Sequence, residues 1–168
     1  PCRRCSQSLF TDRAISYRTT KGFDHFSIGL SIAVQKMVRS DEGASGVMFT
    51  IDTETGFQNA ITINGAWGLG ENVVQGAVSP DEWRVFKPSL AKPGTAPIIT
   101  SSTGSKKMRM IYSSDPSEPV RNVETSEEMR KQRCLSEEEV VQLARWGSII
   151  EDHYSAIRGQ FTAMDIEW

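Results

Sequence analysis

Histidine is scarce, cysteine is odd in number, and no apolar run is long. The 168 residues hold two His and three Cys. No apolar stretch approaches the ~20 residues that a membrane-crossing helix needs, so no membrane span is expected. The opening P-C-R-R-C-S-Q lacks the apolar segment of a signal peptide. Three cysteines argue against a disulfide framework and for a reducing, cytoplasmic setting. Cys2 and Cys5 form a C-x-x-C, but Cys134 stands without a second pair beside it. That spacing suits two neighbours on a helix face better than a zinc or redox site. Charge of either sign is also lacking in surplus: 19 Lys and Arg face 21 Asp and Glu, for a net charge of −2. This excludes the basic footprint of a nucleic-acid binder and the polybasic patch of a membrane-surface protein. His25 and His153 have no partner in sequence, and no Ser/His/Asp or Cys/His set can be picked out.

What is present suits a folded domain with a core. Hydrophobic residues make up 38%, with seven Phe and four Trp. Leu9, Phe10, Ala14, Ile15 and Tyr17 recur at helical spacing, so a helix is expected over 2–18. Ile28, Leu30, Ile32 and Val34 alternate with small or polar residues, which favours a strand over 26–38, with a helix as the alternative. Further strands are expected at V-M-F-T-I-D, at 59–67, at E-W-R-V-F-K, at P-I-I-T-S and at K-M-R-M-I-Y. Residues 88–97, with three prolines, read as a surface loop, and the polar stretch 113–134 as an exposed excursion. Ser136 and Glu139 have the spacing of a capping box. The helix they open is expected to run to about Tyr154, with Val140, Leu143, Ala144, Ile149 and Ile150 as its apolar side. A last strand is expected over Thr162–Trp168. No repeats occur. Strands following strands, with helices at the two ends, predict an α+β fold with a largely antiparallel sheet.

Two places can carry chemistry. G-A-W-G-L-G-E-N-V-V-Q-G, residues 65–76, is rich in glycine but has no Lys after it, which excludes a P-loop. A carboxylate directly after the glycines would repel a phosphate unless a metal lay between them. Glu71 therefore reads as a magnesium ligand or a helix N-terminal residue, and the residues alone put a plain structural turn ahead of either metal or nucleotide binding. Near the end, Asp165 and Glu167 lie two apart on the expected strand and so share a face. Together they can hold a divalent cation, but the residues alone put a solvent-facing edge slightly ahead. Lys106, Lys107 and Arg109 read as a solvated hairpin patch.

Several segments resemble one family at once: S-L-F-T-D-R-A-I-S-Y-R (8–18), V-Q-K-M-V-R-S-D-E-G-A-S-G-V-M-F-T-I-D-T-E-T-G (34–56), W-G-L-G-E-N-V-V-Q-G-A-V-S-P-D-E-W (67–83), G-S-K-K-M-R-M-I-Y (104–112) and M-D-I-E-W (164–168). The family is that of the phosphoenolpyruvate synthases, or pyruvate, water dikinases, and the resemblance falls in its N-terminal ATP-binding domain. It implies an ATP-grasp-like fold, with ATP and Mg²⁺ as cofactors. It also implies an enzyme that turns ATP, pyruvate and water into AMP, phosphoenolpyruvate and phosphate through a swivelling phosphohistidine domain. On this resemblance Gln35, Lys36, Met37 and Val38 correspond to a hinge strand whose backbone pairs with adenine. Glu71 falls near the phosphates and metal, and Glu167 is a magnesium ligand with Asp165 beside it.

The resemblance further implies that the chain is part of one ATP-binding domain, incomplete at both ends. The phosphate-binding Lys and Arg would lie before Pro1; a Gln and an Arg, the phosphohistidine motif and the pyruvate site would lie after Trp168. The isolated chain is then expected not to catalyse the overall reaction. One departure is visible: S-A-I-R-G-Q-F-T-A, residues 155–163, is longer than the family's link and has no Pro. Rifampin phosphotransferase and pyruvate phosphate dikinase share the domain more distantly, so a related phosphotransferase is the nearest alternative, and a non-catalytic interaction module the next. Oligomeric state is not fixed by the sequence, and a homo-oligomer stays open.

Overall fold

A computed structural model describes residues 2–92 and 94–168, so Pro93 of the proline-rich loop lies outside the described residues. The chain divides into two units, Pro1–Val38 and Arg39–Trp168.

The first unit is helical. Helix α1 (Cys2–Gln7) passes through a 3₁₀ turn at Ser8–Phe10 to α2 (Asp12–Lys21). Thr11 caps α2 by accepting from the Ala14 amide, and Gly22 ends it in the left-handed conformation at φ 72°. Where one helix is expected over 2–18, the chain is thus broken at Thr11, because Thr prefers a cap to a helix interior. The strand expected over 26–38 is absent: the segment from Ile28 to Arg39 has no regular structure. Alternation makes a strand only where a neighbouring strand accepts its ladder, and here Leu30 and Val34 stay exposed. Arg18 is the one buried residue among those described in this unit. Its guanidinium donates to the Leu9 carbonyl at 2.5 Å and to His25 Nδ1 at 3.0 Å.

The second unit is built on a five-stranded sheet in the order β4-β3-β2-β1-β7, with every neighbouring pair antiparallel. Its strands are β1 (Ala44–Phe49), β2 (Ala60–Trp67), β3 (Asp81–Phe86), β4 (Ile98–Ser102) and β7 (Asp165–Glu167). Alternation works here as the sequence suggests. Met48, Ile61, Ile63, Trp83 and Val85 share one face and pack against Val140 and Ala144 of the long helix α6 (Glu137–Arg158). Gly147 of α6 lets Met48 approach, since a Cβ there would lie 3.0 Å from the Met48 Cε. The capping box forms between Ser136 and Glu139. Of the apolar side expected for this helix, Ile149 turns outward and is exposed.

Two short helices, α3 (Glu71–Val74) and α4 (Lys87–Leu90), follow β2 and β3. Lys87 Nζ donates to the Thr50 and Gln58 carbonyls and to both Glu151 carboxylate oxygens, bolting α4 to α6. The polar stretch 113–134 is not only an excursion. It contains β6 (Val120–Glu124), which pairs antiparallel with β5 (Met108–Tyr112), and α5 (Glu127–Lys131), capped by Ser126. Its strand was hidden because β6 exposes three of its five residues.

Candidate functional site

The opposite face of the large sheet is mostly polar. Cross-strand register sets Glu167, Val47, Asn64 and Glu82 in one row and Asp165, Phe49, Thr62 and Arg84 in the next. Asp165 and Glu167 therefore share a face, as their spacing requires. They lie two residues apart, about 7 Å along the strand. The strand is clamped at both ends: Gly46 and Trp168 exchange backbone hydrogen bonds of 2.9 and 3.0 Å, and the Met164 amide donates to Thr50 Oγ1 at 2.8 Å. Trp168 packs over the paired Gly46 and Gly65; a Cβ on Gly46 would lie 2.6 Å from its ring. The long link before β7 is absorbed by α6, which continues to Arg158 and ends at Gly159 with φ 66°. The Thr162 amide then donates to Ser155 Oγ at 2.9 Å and turns the chain toward β7.

The glycine stretch presents Glu71 at the start of α3. Gly68 adopts φ 87°, and a Cβ there would meet the Met110 carbonyl at 2.5 Å, so the position requires glycine. Around it the turn is fixed on every side. Ser45 Oγ donates to the Gly68 carbonyl at 2.5 Å, the Gly68 amide to the Gly43 carbonyl at 3.0 Å, and the Leu69 amide to the Met110 carbonyl at 2.9 Å. Asn72, 3% exposed, donates from Nδ2 to Asn122 Oδ1 on β6 at 2.7 Å. The small β5–β6 sheet thus holds the turn that carries Glu71, a role invisible in the sequence because its residues are 40 to 50 positions away. Glu71 Oε1 accepts from Gln75 Nε2 at 2.9 Å.

These two elements meet. Glu71 and Glu167 line one cleft of about 530 Å³, together with Ser40, Ser45, Gly46, Gly70 and Trp168. Asp165, one row further along β7, is exposed and does not line it. Gln35, Lys36, Met37 and Val38 lie in the other unit, in the segment without regular structure. Among the described residues no group of three or more His, Cys, Asp or Glu is gathered as a metal cage. Two carboxylates across a cleft nevertheless fit magnesium, which is held by one or two carboxylates with the remaining positions left to water and phosphate oxygens.

The basic patch does not stand as expected. Lys106, with φ 39°, is fully buried, and its Nζ donates to the equally buried Asp81 carboxylate. That carboxylate also accepts from the Gly104 and Cys134 amides, each at 2.8 Å. This bolt joins the start of β3 to the loops before β5 and α6. No local signal reports the pairing of Asp81 with a lysine 25 positions later in the chain. Burial and the adjacent Asp81 carboxylate push the Cys134 thiol up.

Comparison with known proteins settles the family. A match to the family described as pyruvate phosphate dikinase, AMP/ATP-binding domain, extends over residues 1–168. The chain belongs to this family. Among curated relatives, a phosphoenolpyruvate synthase of Synechocystis sp. is 60% identical over 167 residues, covering 99% of this chain and 20% of the relative. One of Aquifex aeolicus is 54% identical over 166 residues, covering 99% and 19%. One of Escherichia coli is 50% identical over 163 residues, covering 96% and 20%. The chain spans about a fifth of the length of the curated relatives it matches. For a pyruvate phosphate dikinase-type AMP/ATP-binding domain, the mixed α+β architecture with its antiparallel sheet is the expected one. Among the described residues no helix is long and apolar enough to cross a membrane.

Proposed function

We propose that this chain supplies the nucleotide-binding sheet and two magnesium-binding carboxylates of a phosphoenolpyruvate synthase. That enzyme would take ATP, pyruvate and water to AMP, phosphoenolpyruvate and phosphate by way of a phosphohistidine. The observation that carries the reading is the meeting of Glu71 and Glu167 in one cleft of a chain from an AMP/ATP-binding family. The names of its relatives support pyruvate as the final acceptor over an antibiotic. Pyruvate and the phosphohistidine domain belong to the whole enzyme, of which this chain is one part, and a cytoplasmic setting in pyruvate metabolism follows from that chemistry.

Each residue has a task. Glu71 is delivered by a turn locked through Gly68, Ser45 and Asn72, and Glu167 by a strand clamped through Gly46 and Trp168. Both carboxylates would hold Mg²⁺, which when bound neutralises charge on the transferring phosphates. Because neither side chain sits on a free loop, little reorganisation is needed when a nucleotide arrives. Asp165, exposed one row away, would act on the cation through water. Gln35, Lys36, Met37 and Val38 would offer backbone groups to the adenine edge, an assignment supported by sequence resemblance.

The test is Mg-ATP-dependent histidine phosphorylation in the full-length enzyme carrying Glu71→Gln or Glu167→Gln. Each variant is expected to lose about 10²-fold or more in rate, the scale of removing one preorganised electrostatic group. Asp165→Asn is expected to lose less. Unimpaired phosphorylation in both glutamine variants would overturn the metal assignments. Phosphoryl transfer to an acceptor other than pyruvate would overturn the substrate.

A further inference from the structure

The nucleotide reading leaves two thiols unused. Cys2 and Cys5 are both exposed and lie three residues apart in α1. Helical rise and radius place such a pair of Cα atoms about 5 Å apart, inside the ~4.4–6.8 Å that a disulfide spans. Arg3 and Arg4 stand between them, two cations that draw in an anionic small disulfide. Cys5 also lines a concavity of about 530 Å³ with Leu30, Ser31, Ile32 and Ala33 of the same unit. From Ala33 the chain runs directly into 35–38. Cys134, by contrast, is buried and out of reach.

We infer that Cys2 and Cys5 are a redox dithiol, closed to a disulfide by a low-molecular-weight disulfide such as oxidised glutathione, and that closure is felt by residues 30–33. One protein thiolate attacks a sulfur of the small disulfide, forming a mixed disulfide and releasing one small thiolate. The second protein thiolate attacks the protein sulfur of that bond, forming Cys2–Cys5 and releasing the other. Two protein thiols are oxidised, one small disulfide is reduced to two thiols, and the two protons lost by the protein are taken up by the leaving thiolates. In a reducing compartment such a bond is transient, which is the behaviour of a sensor rather than a staple. The pair lies apart from Glu71 and Glu167 in sequence and chemistry, so failure of the magnesium assignments leaves it standing.

The test equilibrates wild type, Cys2→Ser and Cys5→Ser against glutathione mixtures from fully reduced to fully oxidised. Each sample is acid-quenched, weighed and peptide-mapped. Wild type is expected to lose the mass of two hydrogens, with the bond mapped to Cys2–Cys5, those two cysteines no longer alkylated and Cys134 unchanged. Each serine variant is expected to collect one glutathione on its remaining α1 thiol. A wild type that stays reduced, or that carries separate glutathiones, overturns the dithiol. Backbone hydrogen exchange over residues 30–33 is expected to change at least about threefold on oxidation of wild type, and not in the serine variants. Unchanged exchange alongside a formed bond overturns the coupling.

Discussion

Phe26 and Trp83 are both large aromatic residues, and the two units treat them in opposite ways: Phe26 is 89% exposed and Trp83 1%. The contrast runs through each unit. In residues 39–168 the apolar side chains of all five strands of the large sheet and one long helix close over one another. Among the described residues up to Val38, the buried position is taken by an arginine, and Phe10, Tyr17, Phe23 and Val34 stay exposed. Both regions are comparably apolar in sequence. What separates them is partnership: a strand's alternation buries one face only when a neighbour fixes its register and a second layer covers it.

The sharpest way to break this comparison is to truncate both aromatics. Trp83→Ala removes a buried indole between β2, β4 and α6 and is expected to cost about 3–5 kcal/mol. Phe26→Ala is expected to stay within about 0.5 kcal/mol. Denaturant titration followed by far-UV circular dichroism reads both. Equal effects would mean that residues up to Val38 share one cooperative core with the rest. Lys106→Met belongs on the same scale. It leaves the Asp81 carboxylate buried with only the Gly104 and Cys134 amides, and removing one partner of a buried pair costs roughly 3–5 kcal/mol. A drop below about 1 kcal/mol would show that the pair is not buried in solution.

The same contrast explains what could be read in advance. For 59–67 and E-W-R-V-F-K the strand was legible to within a residue or two, whereas the one expected at V-M-F-T-I-D lies three residues earlier, at Ala44–Phe49. The capping box at Ser136 and Glu139 was legible because it is wholly local. Ile28 to Val34 alternated equally well and misled, since periodicity describes a side chain's preference and not whether a partner strand exists. Of the candidate site, the shared face of Asp165 and Glu167 followed from a period of two, and the family's pattern put Glu71 beside it. That Glu167 and not Asp165 enters the cleft depends on the register of β7 against β1, which no local signal reports. The Asn72–Asn122 contact and the Lys106–Asp81 bolt were invisible for the same reason: each joins residues that only folding brings together.

A middle-sized effect comes from Arg18, the counterpart in the first unit of the buried bolt in the second. Arg18→Met deletes the bonds to the Leu9 carbonyl and His25 and the guanidinium's place over the Phe10 ring, while keeping an unbranched apolar stem. Hydrogen bonds to charged groups contribute about 1.5–3 kcal/mol each, net of exchange with water. The expected result is local: faster amide exchange between residues 9 and 25, with the denaturation midpoint of the large sheet unchanged. A shifted midpoint for the sheet would merge the two units into one.

The smallest expected effect is set by pH and separates charge from packing within the second unit. Asp52, in the turn between β1 and β2, accepts from the Glu54 amide at 3.0 Å and the Thr55 amide at 3.4 Å, with Arg84 at 3.8 Å. The Glu54 amide above all, with lesser help from Thr55 and Arg84, holds its carboxyl below the usual carboxylate range. A carboxylate depressed by folding stabilises the protein above its unfolded pKa, and that stabilisation is lost as pH falls through the folded value. Asp52→Asn keeps an acceptor for the amides but discards the charge. At pH 7 the variant should unfold at slightly lower denaturant than wild type, and the gap should narrow steadily as pH falls below about 4. Trp83→Ala, which removes no ionisable group, should keep its gap across the same range. If the Asp52→Asn gap stays constant with pH, the turn is held by hydrogen-bond geometry alone and the carboxylate's charge contributes nothing to it.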